Sequence, residues 1–100
     1  MSESERYSWK ETKRRTNLVK HGLDFMDADL VLENRYRLEI SSPRNKEERK
    51  QVFAYVFDVL AVLTVVYLPS ETPHIISFRH AHRQEQEIYH DWLENDHDDT

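Results

Sequence analysis

The sequence predicts a small α+β domain with two N-terminal helices, a four-stranded antiparallel sheet and a C-terminal helix. Three observations carry this prediction. Apolar residues recur with the spacing of a helix up to about residue 32, at every second position from residue 35 onward, and again with helical spacing after residue 82. At 100 residues the chain can build one hydrophobic core but not two. We therefore expect one domain over residues 1–100, ordered from about residue 7 to residue 93.

Two helices that form a hairpin are predicted at the N-terminal end. Ser8 and Glu11 have the Ser-x-x-Glu spacing of a capping box, so the first helix is expected to start there. Gly22, the only glycine in the sequence, should end it, because glycine adopts the left-handed conformation without a steric penalty. Asp24 can cap the second helix. Its apolar stripe follows helical spacing: Phe25, Ala28 and Leu32.

Four strands are predicted next. Residues 35–40 alternate charged with apolar side chains, which places Tyr36, Leu38 and Ile40 on one buried face. Residues 41–45 should turn the chain. Residues 52–68 are rich in Val, Phe and Tyr and are interrupted by Asp58, which favours two strands joined near residues 58–61 over a membrane span of about 20 apolar residues. Residues 74–78 form the fourth strand, and a short strand around residues 6–8 is also possible in this pattern.

The last helix is predicted over residues 82–93, with Ile88 and Trp92 facing the sheet. Residues 94–100 contain no apolar side chain and are expected to form an acidic tail. The sequence has no cysteine, which excludes disulfides and thiolate metal sites. Because residues 2–6 do not resemble a signal peptide, we expect a cytoplasmic protein without a membrane anchor.

The charge is distributed unevenly along the chain. The net charge is −5, but residues 1–20 carry +3, residues 21–50 carry −1 and residues 51–100 carry −7. A cluster of cations near the N-terminus can attract phosphate locally, because the field there depends on charges within about one Debye length, ~10 Å. The simpler interpretation is that these charges form solvated surfaces.

Two motifs carry a resemblance to a known family. The first comprises Trp9, Lys13, Asn17, Lys20, His21, Gly22, Phe25 and Ala28, and the second comprises Ile76, Ser77, Arg79, Ala81, Arg83, Glu85 and Tyr89. In this order they resemble the BrnT toxin family over about residues 7–93. The resemblance implies a RelE-like fold, ribonuclease activity and a BrnA-like ribbon-helix-helix antitoxin, with DNA bound only through the complex. The chain departs from the family in having no glycine in the turn near Asp58.

The first candidate cluster lies on the first predicted helix. Metal-independent RNA cleavage needs a group that takes the 2′-hydroxyl proton, a proton donor for the leaving oxygen and fixed cations around the phosphate. Lys13, Asn17, Lys20 and His21 share one helix face and are expected to bind RNA, with His21 moving a proton because its pKa is normally near ~6.5. Alternatively, His21 only stabilises the helix C-terminus.

The second cluster begins at the end of the fourth strand. Arg79 and Arg83 can grip phosphate oxygens with their planar guanidinium groups. Glu85 and Tyr89, which with His82 lie on one helix face, are candidate catalytic groups, although Tyr89 could equally be a packing residue and Glu85 an ion-pair partner. The family resemblance adds Glu48 and Arg49 to the catalytic set. The histidine spacing fits no common zinc site, and no metal or other cofactor is expected.

Two functions therefore remain open. The first is a metal-independent endoribonuclease toxin that a BrnA-like antitoxin neutralises. The second is a catalytically inactive binding or co-repressor module that acts with a DNA-binding antitoxin. The charge of −7 in the second half favours this alternative, because an acidic helix beside the site would repel RNA.

Overall fold

One mixed sheet with helices on both faces organises the protein in the computed structural model, which describes residues 2–3 and 6–96. The strands are β1 (Ser2–Glu3), β2 (Ser8–Trp9), β3 (Leu38–Ser41), β4 (Lys50–Val56), β5 (Ala61–Leu68) and β6 (His74–His80). The helices are α1 (Glu11–His21), a 3₁₀ helix (Phe25–Asp27), α2 (Asp29–Leu32) and α3 (Arg83–Asp96). The α+β class is thereby confirmed.

The sheet is larger than predicted. Its strand order is β1-β2-β6-β5-β4-β3. The four strands β3 to β6 pair antiparallel with their neighbours as expected. The additional strand β2 pairs parallel with β6, with Ser8 opposite His74. The short strand named from the sequence around residues 6–8 overlaps β2 at Ser8, and its bounds differ because a two-residue strand shows no period.

The helices cover the two faces of the sheet separately. On one face, Phe25, Ala28 and Val31 of the N-terminal helical segment and Trp9 of β2 are buried in one core cluster with residues of β4, β5 and β6. On the other face, α3 packs Tyr89, Trp92 and Leu93 onto a second cluster that contains Phe53. Since β-strand side chains alternate between faces, the central strands bury residues on both sides.

The predicted capping box is wrong, because Ser8 belongs to β2. Its hydroxyl lies 2.9 Å from Nδ1 of His74, so it is used between strands and not at the helix start. α1 begins at Glu11 after Lys10, which makes no side-chain cap. The predicted end is confirmed: Gly22 has φ 72° and donates its backbone N–H to the Leu18 carbonyl over 2.8 Å.

The predicted second helix is split into the 3₁₀ helix and the four-residue α2. Asp24 caps it as expected, accepting a hydrogen bond from the Met26 backbone N–H at 3.0 Å. Of the predicted stripe, Phe25 and Ala28 are buried and Leu32 is half-buried, while its neighbour Val31 is fully buried. The 3₁₀ helix is limited to Phe25–Asp27, and α2 begins at Asp29 after Ala28.

Two tight turns join the central strands. Arg44 and Glu47 exchange two backbone hydrogen bonds, and Asn45 and Lys46 between them have φ values of 53° and 67°. These are the features of a two-residue type I′ turn, which lies at the end of the predicted turn region 41–45. The turn between β4 and β5 occupies residues 57–60, within one residue of the prediction.

Three predicted positions differ in detail. Tyr36 precedes β3 and is 44% exposed, so only Leu38 and Ile40 of the predicted face are half-buried strand residues. On α3, Ile88 was predicted to face the sheet but is 49% exposed. Its neighbour Tyr89, which is 1% exposed, faces the sheet instead. The helix also continues to Asp96, and residues 97–100 of the predicted tail lie outside the described residues.

No helix among residues 2–3 and 6–96 is long and apolar enough to cross a membrane.

The turn between β4 and β5 contains a strained residue and generates a stability prediction. Leu60 has φ 54° and is 74% exposed, so it adopts the left-handed conformation with little packing in return. Leu60→Gly should raise the free energy of unfolding by about 1 kcal/mol, because glycine has no Cβ penalty there. Chemical denaturation measures this, with Leu60→Ala as the control. An equal gain in both variants would show that the leucine side chain, and not backbone strain, is the cause.

Candidate functional site

A basic cleft lies on the α3 side of the sheet, beyond the part that α3 covers. Its volume is about 260 Å³. It is lined by Lys13, Ser42, Arg44, Arg49, Gln51, Val66, Ile76, Ser77 and Arg79. Four of these residues are cations and, among the lining residues that the structure describes, none is acidic. The cleft therefore attracts anions although the whole chain carries a net charge of −5.

A second depression, the α1–β6 groove, continues from the basic cleft. Its lining consists of Lys13, Thr16, Asn17, Lys20, His21, Ile76 and Ser77, and it shares Lys13, Ile76 and Ser77 with the cleft. The pairing of β5 with β6 shifts register at Val66, where Ile76 is the extra residue of β6. Such a bulge redirects neighbouring side chains, which explains why two consecutive residues of β6 border both depressions.

Arg79 is fixed in the cleft by a bidentate ion pair with Glu85. Nη1 of Arg79 lies 2.9 Å from Oε1 of Glu85, and Nη2 lies 3.0 Å from Oε2. Both side chains are 20% exposed. The Arg79 Nη1 also donates to the His80 carbonyl over 3.1 Å. The fork geometry therefore aims the guanidinium in one direction and couples the end of β6 to the first turn of α3.

The carboxylate of Glu85 has further partners. The His82 backbone N–H donates to Oε1 over 2.8 Å, and Nε2 of Gln51 donates to Oε2 over 3.1 Å. Hydrogen bonds from Arg79 above all lower the pKa of Glu85 to about 2, against the smaller opposing effect of burial. Glu85 is therefore ionised near neutral pH. This agrees with the interpretation of Glu85 as an ion-pair partner, which the sequence left open beside a catalytic role.

His21 is the last residue of α1 and is half-buried in the α1–β6 groove. Burial is the main cause that lowers its pKa below the ordinary 6.5, and the positive charges of Lys20 and Arg79 and the nearby His80 and His82 act in the same direction. The imidazole is thus neutral at neutral pH and able to accept a proton. Lys13 of the first predicted cluster and Arg79 of the second line the same cleft, so the structure brings the two clusters together.

The hairpin of β3 and β4 contributes the opposite wall of the basic cleft. Arg49 is held by Glu47, whose Oε1 lies 3.0 Å from Nε and 2.9 Å from Nη2 of the arginine. Arg44 stands at the type I′ turn and is exposed. Glu48, between these arginines, is exposed and does not line either depression. The structure thus brings Arg49 to the cleft and leaves Glu48 outside it.

Asn17 joins α1 to the sheet. It is 7% exposed, and its Nδ2 donates to the Phe78 carbonyl over 2.7 Å and to the Leu23 carbonyl over 3.0 Å. Its Oδ1 accepts from the Phe78 backbone N–H over 3.2 Å. These bonds occupy the amide with the backbone, so the residue that the sequence analysis expected to bind RNA serves here to fix the α1–β6 groove.

Tyr89 lies away from both depressions. It is 1% exposed, its hydroxyl donates to the Tyr36 carbonyl over 2.6 Å, and burial raises its pKa. It borders an apolar groove of about 400 Å³ on the other side of α3. This apolar groove is lined by Asn34, Tyr36, Tyr55, Phe57, Tyr89, His90 and Leu93. The geometry therefore agrees with the packing interpretation of Tyr89, which borders the apolar groove, whereas Glu85 contacts Arg79 of the basic cleft.

Several site residues were missed by sequence reasoning. Arg83, which was expected to bind RNA, is exposed at the start of α3 and lines neither depression. Instead the cleft contains Arg44, Ser42 and Gln51. A usable signal existed for Gln51, since a polar residue stands at the start of an otherwise apolar strand. For the two hairpin residues the sequence holds no comparable signal.

Within the described part of the chain, no group of three or more His, Asp or Glu side chains is arranged to hold a metal ion.

The fold and the cleft define a class: a small α+β protein with a cationic site for anions, flanked by a neutral histidine. A family model described as "Ribonuclease toxin, BrnT, of type II toxin-antitoxin system" matches residues 9–85. The chain therefore belongs to the BrnT family of ribonuclease toxins, and the resemblance stated from its motifs is confirmed. No individual curated protein sequence matches the chain.

The position of Asn17 predicts a loss of stability on substitution. Asn17→Ala should lower the free energy of unfolding by roughly 2 to 4 kcal/mol, because the buried N–H and carbonyl of Phe78 lose their side-chain partner. Thr16→Ala, an exposed neighbour, is the matched control and should change stability by less than about 0.5 kcal/mol. Thermal and denaturant unfolding measure both, and equal effects would contradict the bridging role.

Proposed function

We propose that this chain is the toxin of a type II toxin–antitoxin pair and that it cleaves RNA in the basic cleft without a metal ion. One observation carries the proposal: the cationic cleft and the groove that contains a neutral His21 form one continuous surface. Family membership supplies the ribonuclease class. The metal-independent chemistry is our inference from the side chains.

The cations of the cleft would hold the RNA backbone. Lys13, Arg49 and Arg79 come from α1, the hairpin and β6, so they surround a phosphate from three directions. Lys20 extends the positive surface along the groove for a second phosphate. Because charge builds on the phosphate oxygens during cleavage, cations fixed in advance stabilise the transition state more than mobile ones do.

His21 would act as the base. A neutral imidazole takes the proton of the 2′-hydroxyl, the 2′-oxygen attacks phosphorus, and the bond from phosphorus to the 5′-oxygen breaks, with that oxygen taking a proton from water. The lowered pKa of His21 keeps the imidazole neutral over a wider pH range than a free histidine. The products would be a 2′,3′-cyclic phosphate and a 5′-hydroxyl.

The other expected site residues take different roles in this proposal. Glu85, ionised and bonded on both oxygens, would position Arg79 and not transfer protons. Asn17 would hold α1 in place. We assign no catalytic role to Tyr89 or Glu48, because neither reaches the cleft. This reduces the proposed catalytic set to His21, Arg49 and Arg79.

The binding or co-repressor alternative keeps one supporting observation. The exposed residues Glu87, Asp91 and Glu94 give α3 an acidic outer surface, which would repel RNA that approaches from that side. The two functions differ in a direct assay, because only a ribonuclease arrests growth and shortens cellular RNA when the chain is expressed alone.

Arg79→Ala should abolish toxicity and lower the cleavage rate by about 10²–10³, because it removes a fixed cation from the phosphate. RNA cleavage by purified protein measures this. Arg35→Ala is the control, since Arg35 is exposed and stands outside the basic cleft. A well-folded Arg79→Ala protein with unchanged activity would remove Arg79 from the mechanism.

The pH dependence of cleavage tests His21. Since a base must be neutral, kcat/KM should fall tenfold per pH unit as the pH drops below the pKa of His21, and that limb should lie below pH 6.5 because the pKa is lowered. In His21→Ala, the acidic limb of the pH profile should disappear and the cleavage rate should fall by a factor of about 10²–10⁴. An unchanged acidic limb in that variant would assign the titration to a different group.

We further propose that a BrnA-like ribbon-helix-helix antitoxin neutralises the toxin by covering its positive surface, and that DNA is bound only by the complex. The family description supports an antitoxin partner in general. Complementary charge would speed the encounter and fix its orientation, so the segment that docks here should be acidic or amphipathic.

Charge reversal tests this docking. Lys20→Glu with Arg83→Glu should slow association with the antitoxin by about tenfold or more and reduce its dependence on salt. Stopped-flow or surface-plasmon measurements give the rate, with Arg35→Glu as a matched reversal elsewhere. Unchanged association would place the antitoxin on a different surface, for which the apolar groove beside Tyr36 and Phe57 is available.

A further inference from the structure

The basic cleft contains a neutral hydrogen-bond acceptor among its cations, the side-chain carbonyl of Gln51. Gln51 lines the cleft and is 8% exposed. Gln51 lies two residues before Phe53 on β4. Phe53 pairs with Thr64 on β5, and Thr64 pairs with Arg79 on β6. Because alternate residues share a face, Gln51 and Arg79 lie on the same side of the sheet, beneath the cleft opening.

The orientation of the Gln51 amide follows from the chemistry of its partners. Its Nε2 lies 3.1 Å from Oε2 of Glu85, which is ionised and can only accept a hydrogen bond. It also lies 3.2 Å from Oγ1 of Thr64, whose single hydroxyl proton is already donated to the Val52 carbonyl over 2.9 Å. Because Glu85 and Thr64 both act as acceptors, the Gln51 atom between them must be the donor Nε2. The amide oxygen, Oε1, then points away from Glu85 and Thr64.

Oε1 of Gln51 is open to the cleft. None of the residues that the structure describes donates a hydrogen bond to it. It is also not sealed from solvent, since the one side-chain atom found both buried and unpartnered in residues 6–95 is Nε1 of Trp9. Because Gln51 lines the cleft together with Lys13, Arg49 and Arg79 and its Nε2 is held by Glu85, we infer that Oε1 is the acceptor it offers to the cleft.

A carbonyl oxygen in this position does not favour phosphate itself, because phosphate oxygens are acceptors too. It favours a hydroxyl group that stands next to a phosphate. The ribose 2′-hydroxyl is such a donor, and deoxyribose lacks it. We propose that Gln51 accepts a hydrogen bond from the 2′-hydroxyl of the nucleotide on the 3′ side of the phosphate that Arg79 holds, a hydroxyl other than the one that His21 deprotonates, and so selects RNA over DNA; this rests on the proposed function.

Gln51 is then a specificity-determining residue, and its role differs from that of the cations. Lys13 binds any phosphate backbone, whereas Gln51 recognises only a sugar with a donor at the 2′ position. One hydrogen bond of this kind corresponds to about a three- to tenfold difference in Kd.

The test uses three single-stranded oligonucleotides of one sequence, with ribose, 2′-fluoro-ribose or deoxyribose throughout. The 2′-fluoro sugar keeps a ribose-like conformation but has no proton to donate. Binding is measured by fluorescence anisotropy in the His21→Ala background, which removes the proposed base so that the RNA remains intact. We expect ribose to bind about three- to tenfold more tightly than the other two.

Gln51→Met should remove this preference by weakening only the binding of the ribose oligonucleotide. Lys13→Ala, the matched control, should weaken all three ligands by similar factors and keep the preference. If Gln51→Met weakens all three equally, Gln51 only supports the Glu85–Arg79 pair and the inference is overturned. A preference that persists in Gln51→Met also overturns it, because the selecting group is then elsewhere.

The ligand series does not depend on whether Gln51→Met folds. Equal binding of ribose and 2′-fluoro oligonucleotides by the chain with Gln51 intact overturns the inference and leaves the proposed function standing. Failure to bind any of the three oligonucleotides overturns the proposed function and this inference with it.

Discussion

The bidentate ion pair between Arg79 and Glu85 sets the geometry on which the site depends. It joins the C-terminal end of β6 to the first turn of α3. The His82 backbone N–H and the Gln51 side chain donate further hydrogen bonds to Glu85. Removing one partner of such a partly buried pair leaves the other charge without compensation, so the two residues act as a unit. The pair also explains why Glu85, an acid near the site, need not be an acid catalyst: its pKa is lowered, so the carboxylate stays ionised and holds Arg79.

The other residues of the proposed site come from segments that are far apart in sequence and meet beside the Arg79–Glu85 ion pair. α1 supplies Lys13 and His21, the β3–β4 hairpin supplies Arg49, and β6 supplies Arg79. Asn17 fixes the first of these segments to β6 through the backbone of Phe78. The charge of the whole chain is therefore a poor guide to its ligand, because the cations meet on one surface while many of the acidic residues lie on α3 and beyond it.

Sequence periodicity predicted the elements that bury one regular face. The end of α1 at Gly22, the antiparallel strands and the C-terminal helix were recovered in this way. Features that depend on tertiary contacts were not. Ser8 had the spacing of a cap but is used by β2, and the predicted second helix is divided into a 3₁₀ helix and the short α2.

For the proposed site, motif recognition selected Arg79 and His21, which the structure places at the basic cleft and at the α1–β6 groove, but it could not separate ligand-binding from structural polar residues. Asn17 and Tyr89 satisfy backbone groups inside the fold, and nothing in the linear sequence distinguishes such a role from ligand binding. Arg44 and Gln51 reach the cleft only through the register of the sheet. Local spacing cannot give that register, because it is set by pairing between strands.

The most direct test of the account is the chemistry of the RNA ends that the purified protein produces in the presence of EDTA. If His21 activates the 2′-hydroxyl and the cations of the basic cleft replace a metal, mass spectrometry should find 2′,3′-cyclic phosphate and 5′-hydroxyl ends at an undiminished rate. Cleavage that stops on chelation, or that leaves 3′-hydroxyl and 5′-phosphate ends, would contradict the account, because water and not the 2′-oxygen would then be the nucleophile.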